Sequence, residues 1–129
     1  MYKRQTLASA IGLEITDFGE KYVCGKVPVD KRTKQPFGLL HGGASVVLAE
    51  TLGSIAGNRK VNMNTEMVVG IEINAKHLRS VQEGCVYGKA MPINIGKRIQ
   101  VWEIRITDKL DQMVCLSRLT VAVVKRKRA

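Results

Sequence analysis

At 129 residues and 14.3 kDa, the chain has the size of a single domain with one hydrophobic core. Its composition, 45% hydrophobic and 25% charged, is that of a globular protein. No apolar run approaches the roughly 20 residues that a membrane-spanning helix needs. Residues 1–15 lack the continuous apolar core and the cleavage site of a signal peptide. The composition therefore excludes a membrane-spanning helix, and we expect the protein in the cytoplasm.

The formal net charge of +10 favours anionic partners. Part of the excess lies in the run Lys125-Arg126-Lys127-Arg128, and we interpret residues 125–129 as a solvated basic tail. Nucleic acid is a weak candidate for the partner, because aromatic residues make up only 5% of the chain and no nucleic-acid-binding motif is present. A phosphate-bearing small molecule is the other candidate. Charge alone does not choose between them.

The first half of the chain predicts short elements followed by one long helix. Residues 4–11 predict a short helix closed by Gly12, and two strands are predicted after it, at 13–17 and 22–29. A polar loop at 30–40 leads into the run GGASVVLAETLGSIAG, residues 42–57. In that run apolar residues recur at helical spacing and small residues fill most other positions. We therefore predict a helix that is enclosed by other elements.

The second half predicts four strands, at 67–78, 85–93, 98–107 and 113–124. The connectors between them are short, which is typical of antiparallel neighbours. The order of elements predicts an α+β fold in which an antiparallel sheet of five to six strands wraps around one long central helix. We assign residues 1–124 to this single domain.

The three cysteines, Cys24, Cys85 and Cys115, are far apart and show no CxxC or Cys/His spacing. We interpret them as free thiols that fill space in strands. Neither a disulfide nor a metal site is expected. A nucleophilic cysteine is also disfavoured.

One carboxylate, Glu50, lies inside the otherwise apolar and small-residue run of the long helix. Burying an ionised carboxylate without a partner is costly, and the nearest basic residues in sequence are Lys34 and Arg59. Glu50 therefore either faces solvent or has a chemical role. Ser54, four residues further on, shares its helical face and is spaced to hydrogen-bond the carboxylate.

The helix begins with Gly42 and Gly43, whose N–H groups have no acceptor within the helix. With the helix dipole they favour negative charge, such as an oxyanion that develops on a carbonyl. Close packing explains a Gly-Gly start equally well. Gly42 and Glu50 are about 12 Å apart along one helix, too far for both to reach one carbonyl. If they cooperate, the protein is at least a dimer with antiparallel helices across a two-fold axis.

Four segments resemble the hotdog-fold acyl-CoA thioesterases, in the branch with 4-hydroxybenzoyl-CoA, phenylacetate-pathway and dihydroxynaphthoyl-CoA thioesterases. They are QPFGLLHGGASVVLAE, VVGIEINAKHLRSV, INIGKRIQVWEIRI and CLSRLTVAVV, in the same order and spacing. The resemblance extends over nearly the whole chain, and the first segment is specific to the family. It implies the hotdog fold, in which the sheet wraps around the central helix.

The resemblance also implies catalytic roles at matching positions. Glu50 matches the catalytic carboxylate, which acts as a nucleophile or as a general base on water. Gly42 matches the residue whose N–H polarises the thioester carbonyl. Gln35 and His41 match residues that orient the thioester or the attacking water, and Ser54 matches a position that supports the acid. In this family the carboxylate comes from one protomer and the other three groups from its neighbour.

Substrate contacts follow from the same resemblance. His77 matches a position close to the acyl pocket, although a strand histidine satisfied by its neighbours is the alternative interpretation. Arg79, Lys97 and Arg98 fall where the family contacts coenzyme A, whose phosphates suit basic side chains. Solvated surface charge is the alternative for these three. Coenzyme A is part of the substrate, and no metal or organic cofactor is implied.

We therefore predict an acyl-CoA thioesterase that hydrolyses an aryl- or acyl-CoA to the free acid and CoA. The favoured substrate is 1,4-dihydroxy-2-naphthoyl-CoA of menaquinone biosynthesis. The family forms dimers with active sites at the dimer interface, and these commonly pair into a homotetramer. The alternatives are a hotdog protein that binds acyl-CoA or acyl-carrier thioesters without turnover, and a nucleic-acid binder. A hotdog hydratase is disfavoured, because the Asp/His pairing of that group is not visible. We expect no nucleic-acid or membrane partner.

Overall fold

The computed structural model describes residues 6–127, which form two helices and six strands. Helices α1 and α2 span Leu7–Ala10 and Gly42–Asn58. Strands β1 to β6 span Glu14–Phe18, Val23–Pro28, Glu66–His77, Cys85–Ile95, Ile99–Thr107 and Met113–Lys125. The predicted α+β class and the single long helix are confirmed. No helix within these residues is both long and apolar enough to cross a membrane.

The short helix α1 begins and ends on the signals that its sequence carries. The Thr6 hydroxyl caps it by accepting the Ser9 N–H at 3.2 Å. Gly12 follows it with φ of +76°, the left-handed conformation that glycine adopts most easily after a helix. The helix is shorter than predicted, and residues 4 and 5 of the prediction lie outside the described residues.

The strand order across the sheet is β1-β2-β4-β5-β6-β3, and every neighbouring pair is antiparallel. The inference that the short connector 78–84 joins neighbouring strands is wrong, because β3 pairs with β6 and forms an edge. The connector crosses the N-terminal end of α2 instead. Leu78 N–H donates to Val114 O at 2.8 Å, and Leu40 N–H donates to Val81 O at 2.8 Å. The curl of the sheet makes this crossing short.

Helix α2 lies in the concave face of the sheet. Its buried side chains, Leu48, Leu52 and Ala56 among them, pack against inward-facing residues of the strands. Full burial of one such leucine stabilises the fold by about 1.5–3 kcal/mol. The Trp102 indole donates to Gln100 Oε1 at 2.8 Å, and Gln100 Nε2 donates to Gly57 O at 3.3 Å. These contacts hold the C-terminal end of α2 in place.

A β-bulge in β3 changes which of its residues face α2. The register shifts between Gly70 and Glu72, so that Ile71 is the extra residue. Gly70 faces the helix before the bulge, whereas Ile73 and His77 face it afterwards. Because side chains of a strand alternate between its faces, His77 would point outwards without the extra residue. The bulge therefore turns His77 towards the start of α2.

All three cysteines are free thiols in strands, as predicted. Cys115 is fully buried, and Cys24 and Cys85 are half-buried. Burial raises the pKa of the Cys24 and Cys115 thiols. These two side chains are consequently poor thiolate nucleophiles.

Candidate active site

The start of α2 presents two hydrogen-bond donors. His41 is the N-cap, and its Nδ1 accepts the Gly43 N–H at 2.7 Å. An accepting imidazole nitrogen carries no proton, so this bond assigns the proton to Nε2. The Gly42 N–H has no hydrogen-bond acceptor among residues 6–127. A free backbone N–H and an imidazole N–H are thus available at one helix end.

A cavity of about 380 Å³ opens beside these donors. Gly42, His77 and Arg79 line it together with three apolar side chains and two serines. A Cβ atom built on Gly42 would lie 3.0 Å from Cε1 and 3.1 Å from Nε2 of His77, so the imidazole ring lies directly against this glycine. The structure therefore brings the predicted carbonyl-binding residue and the predicted acyl-pocket histidine into one cavity.

Glu50 lies on the side of α2 that the sheet leaves open. Its side chain is exposed, and its Oε2 lies 2.7 Å from a Cβ atom built on Gly70. The carboxylate therefore lies close to the backbone of β3 at a point where only glycine leaves room for it. None of the ion pairs in the described part of the chain involves Glu50. About 12 Å of helix separates it from Gly42, so one chain does not bring the two together.

Ser54 lies one turn beyond Glu50 and is half-buried. The hydrogen bonds within residues 6–127 include none between its hydroxyl and the carboxylate. The supporting role predicted for Ser54 stays a prediction. A hydrogen bond from the Ser54 hydroxyl to the Glu50 carboxylate requires only a rotation of the two side chains, because the helix places them on one face.

Gln35 lies in a protruding loop just before α2. Its carboxamide oxygen accepts the Phe37 N–H at 2.6 Å and the Leu39 N–H at 3.4 Å. A backbone bridge between Lys34 and Leu40 closes the loop. The side chain thus stabilises its own loop and leaves the amide nitrogen as a donor. Phe37, at the tip, is 88% exposed.

The three predicted CoA-contacting residues lie at opposite ends of the sheet. Arg79 lines the cavity at the start of α2, whereas Lys97 and Arg98 lie in the hairpin between β4 and β5, near the end of α2. Along β6, the residues paired with His77 and Ile99 are Cys115 and Ala122, a separation of about 23 Å. One chain does not assemble these residues around one ligand.

Sequence reasoning missed Gly70. The available signal was an isolated glycine within a predicted strand, which often marks a bulge or a close backbone approach. Here it marks both, because the bulge begins next to it and the Glu50 carboxylate lies against it.

The described residues show no candidate metal site. No three His, Cys, Asp or Glu side chains of residues 6–127 cluster as metal ligands.

Comparison with known proteins then assigns the family. The sequence model described as thioesterase superfamily matches residues 37–115. The chain belongs to the thioesterase superfamily. The 1,4-dihydroxy-2-naphthoyl-CoA hydrolase of Escherichia coli K12 is 49% identical to it, over 88% of this chain and 83% of that protein. The proofreading thioesterase EntH of Cronobacter turicensis is 48% identical, over 92% of this chain and 86% of that protein.

Solved structures agree with this assignment. A crystal structure of a thioesterase from Haemophilus influenzae has a TM-score of 0.89 at 50% identity, over 92% of this chain and 82% of that one. The predicted hotdog fold and thioesterase activity are thereby confirmed. The superfamily match includes every predicted site residue of this thioesterase except Gln35. The individual roles of these residues stay predictions.

Proposed function

We propose that this thioesterase hydrolyses acyl-CoA thioesters, with Glu50 as the base or nucleophile and the Gly42 N–H as the oxyanion donor. The proposal rests on two parts of an active site, each of which is incomplete by itself in one chain. Gly42 lines a cavity and its N–H has no acceptor among residues 6–127, and an exposed carboxylate lies on the open side of the same helix. Each part supplies what the other lacks for attack on a thioester.

The functional unit that we propose is a dimer joined along β3. This strand runs from Glu66 to His77 and pairs only with β6 among the described residues, so its outer edge is free. A long free edge is a template for pairing with another chain, and Ile71 and Leu78 are each 57% exposed there. Two-fold pairing of β3 with its copy sets the two α2 helices antiparallel. Gly42 of one protomer then approaches Glu50 of the other.

Pairing of two such dimers into a tetramer is part of the proposal. Tyr87 and Met91 on the outer face of the sheet are 42% and 46% exposed, which leaves apolar area for that contact. Sedimentation equilibrium distinguishes the two states by mass.

In the proposed reaction the thioester oxygen accepts the Gly42 N–H. As the carbonyl carbon is attacked, charge develops on this oxygen, and one such donor typically lowers the barrier by about 2.7–4 kcal/mol. Glu50 either takes a proton from the attacking water or attacks the carbon itself, giving a mixed anhydride that water hydrolyses. The CoA thiolate leaves and takes up a proton. Because a thioester is already activated, this requires no Ser-His-Asp triad, metal or organic cofactor.

The acyl group that we propose is aromatic, with 1,4-dihydroxy-2-naphthoyl-CoA favoured. Support comes from the E. coli relative and from the cavity, which the His77 ring lines. The similarity to EntH is nearly as high. A panel of kcat/KM values over aryl- and alkyl-CoA thioesters therefore decides the acyl group.

Glu50→Gln tests the mechanism, with release of free CoA as the measurement. We expect kcat to fall by about 10²–10⁴-fold, the usual contribution of a positioned acid–base group, while the oligomer keeps its mass. Glu14→Gln, on the exposed far edge strand β1, is the control and should keep full activity. Near wild-type turnover in Glu50→Gln would remove Glu50 from the mechanism. Binding of the CoA esters without release of thiol by the wild type would instead indicate a non-catalytic binding protein.

A further inference from the structure

The end of the sheet at which α2 terminates carries an excess of positive charge. Three segments meet there: the residues after α2, the β4–β5 hairpin and the end of β6. We call this surface the basic end, and its exposed residues are Arg59, Lys60, Lys97, Arg98, Lys125, Arg126 and Lys127. Glu66 lies opposite Lys125 in the β3–β6 ladder, and Lys60 Nζ donates to the backbone carbonyl of Glu20 at 2.6 Å. The ion pairs found in residues 6–127 involve none of these basic side chains.

Lys125 and Arg126, the first residues of the C-terminal basic run, are held in place by hydrogen bonds. Lys125 is the last residue of β6 and pairs with Glu66 in the ladder. Arg126 donates from Nη1 to Met63 O at 2.7 Å and from its backbone N–H to Thr65 O at 2.9 Å. The strand therefore continues one residue into the segment predicted as a solvated tail. Lys125 and Lys127 flank an arginine that is bonded twice to the turn before β3.

The hairpin that carries Lys97 and Arg98 lies beside this run. Val123 N–H donates to Arg98 O at 2.8 Å, so the hairpin and the end of β6 are in direct contact. Because β6 lies between β5 and the edge strand β3, the run lies between the hairpin and the proposed dimer edge. The basic side chains of the hairpin and of the end of β6 therefore form one surface.

The clustering does not simply reflect the basic composition of the chain. At the opposite end of the sheet, charges of both signs alternate: Asp30 pairs with Arg32 at 2.8 Å, and Asp108, Lys109 and Asp111 share one turn. Like charges held together repel each other, which costs stability unless an anion is bound. The basic end is thus suited to a ligand with several phosphate charges.

We propose that Lys125 and Lys127, next to Lys97 and Arg98, bind the phosphates at the nucleotide end of coenzyme A. The inference rests on the proposed function, because the reacting carbonyl has to lie near Glu50. Gly70, against which the Glu50 carboxylate lies, pairs with Val121. Lys125 follows four residues later on the same strand, about 13 Å away. An extended pantetheine arm spans this distance from the thioester to the phosphates.

The test compares two double variants in the full chain by titration with free CoA, dephospho-CoA and pantetheine. Lys125→Gln/Lys127→Gln removes two charges from the basic end and leaves Arg126 intact. Lys31→Gln/Lys109→Gln removes the same charge from the opposite end. We expect the first variant to raise the Kd of CoA about tenfold, which is in the range for the loss of a few exposed phosphate contacts. The control should leave this Kd unchanged. Pantetheine, which lacks the nucleotide, should bind both variants equally.

Kinetics supply the second readout. In Lys125→Gln/Lys127→Gln, KM for the acyl-CoA should rise while kcat stays unchanged, because the reacting groups are not altered. Neither KM nor kcat should change for the corresponding acyl-pantetheine.

Several results would overturn the inference. Equal weakening in both double variants would indicate a net-charge effect, and an unchanged Kd would exclude the run from the site. Tighter binding of a DNA oligonucleotide than of CoA, lost in the first variant, would assign the basic end to nucleic acid. An active Glu50→Gln enzyme would remove the proposed mechanism and leave the CoA titrations valid, so the two failures are distinguishable.

Discussion

The two ends of α2 differ in almost every chemical respect. The N-terminal end has small residues, a free backbone N–H and a cavity lined by His77, and the charges around it are balanced in sign. The C-terminal end is surrounded by the basic side chains of the basic end, and the ion pairs found in residues 6–127 involve none of them. The exposed carboxylate of Glu50 lies between them.

This difference indicates that neither end is a complete site. The first end can polarise a carbonyl, but the Glu50 carboxylate of the same chain is about 12 Å away. The second end has the basic side chains that we propose for phosphate binding, but Lys and Arg supply no carboxylate to act as the base. In the dimer that we propose, the antiparallel arrangement would place the first end of one protomer against the carboxylate and the basic end of the other. Variants at either end of α2 test whether the two ends act together across a dimer, and we take them in order of the expected loss of activity.

The largest change in activity is expected for Gly42→Pro, and mixing this variant with Glu50→Gln should restore part of the activity. Gly42→Pro removes the donor and leaves the backbone conformation intact. Proline is favoured at the first helical position, and His41, with φ of −69° and ψ of 132°, has the conformation required before proline. We expect kcat to fall by about 10²–10³-fold. Refolded together with Glu50→Gln, the chains form mixed dimers with one intact site each, and about a quarter of wild-type activity should return.

Gly42→Ala is the matched control for that experiment. It adds the same Cβ next to His77 but keeps the N–H, so its activity should stay far above that of Gly42→Pro. Mixed dimers demonstrated by mass spectrometry but without activity would show that each site is contained in one chain.

The next effect is expected from Gly70→Ala. The added Cβ would displace the Glu50 carboxylate, and a displacement of about 1 Å costs on the order of 10²-fold in rate. The free energy of unfolding should change little, because the close contact is with the end of a flexible side chain. In the Glu50→Gln background the substitution should cost nothing further, since it acts through Glu50.

Gly88→Ala is the control for Gly70→Ala, because it should change stability and not the rate. Its Cβ would lie 2.8 Å from Leu52 Cδ1 in the core, so we expect lower stability with kcat per folded enzyme unchanged. Full additivity of Gly70→Ala with Glu50→Gln would show that Gly70 does not position the acid.

The smallest effect is expected from Ser54→Ala. If its hydroxyl orients the Glu50 carboxylate during turnover, its loss should lower kcat about threefold, the contribution of a modest hydrogen bond. Ser54→Thr keeps the hydroxyl and should retain activity. Equal kcat in both variants and the wild type would leave Ser54 without a role in supporting the acid.

Local patterns in the sequence determined the elements and the chemistry they carry. The Gly-Gly start of α2, the lone carboxylate within it and the Gly12 helix end depend on residues close to one another along the chain. The conformational preferences and the helix spacing that act over such distances are properties of the sequence itself. The strands were predicted for the same reason, within a few residues of their observed bounds.

Only the tertiary structure decided which distant residues meet. The pairing of β3 with β6, the bulge at Ile71 that turns His77 inwards, and the bonds of Arg126 to the turn before β3 depend on strand order. Strand order follows from the energy of packing the whole sheet around α2, and a short connector such as 78–84 does not reveal it. The separation of Arg79 from Lys97 and Arg98 has the same origin, because each position on a curled sheet is set by all of its strands.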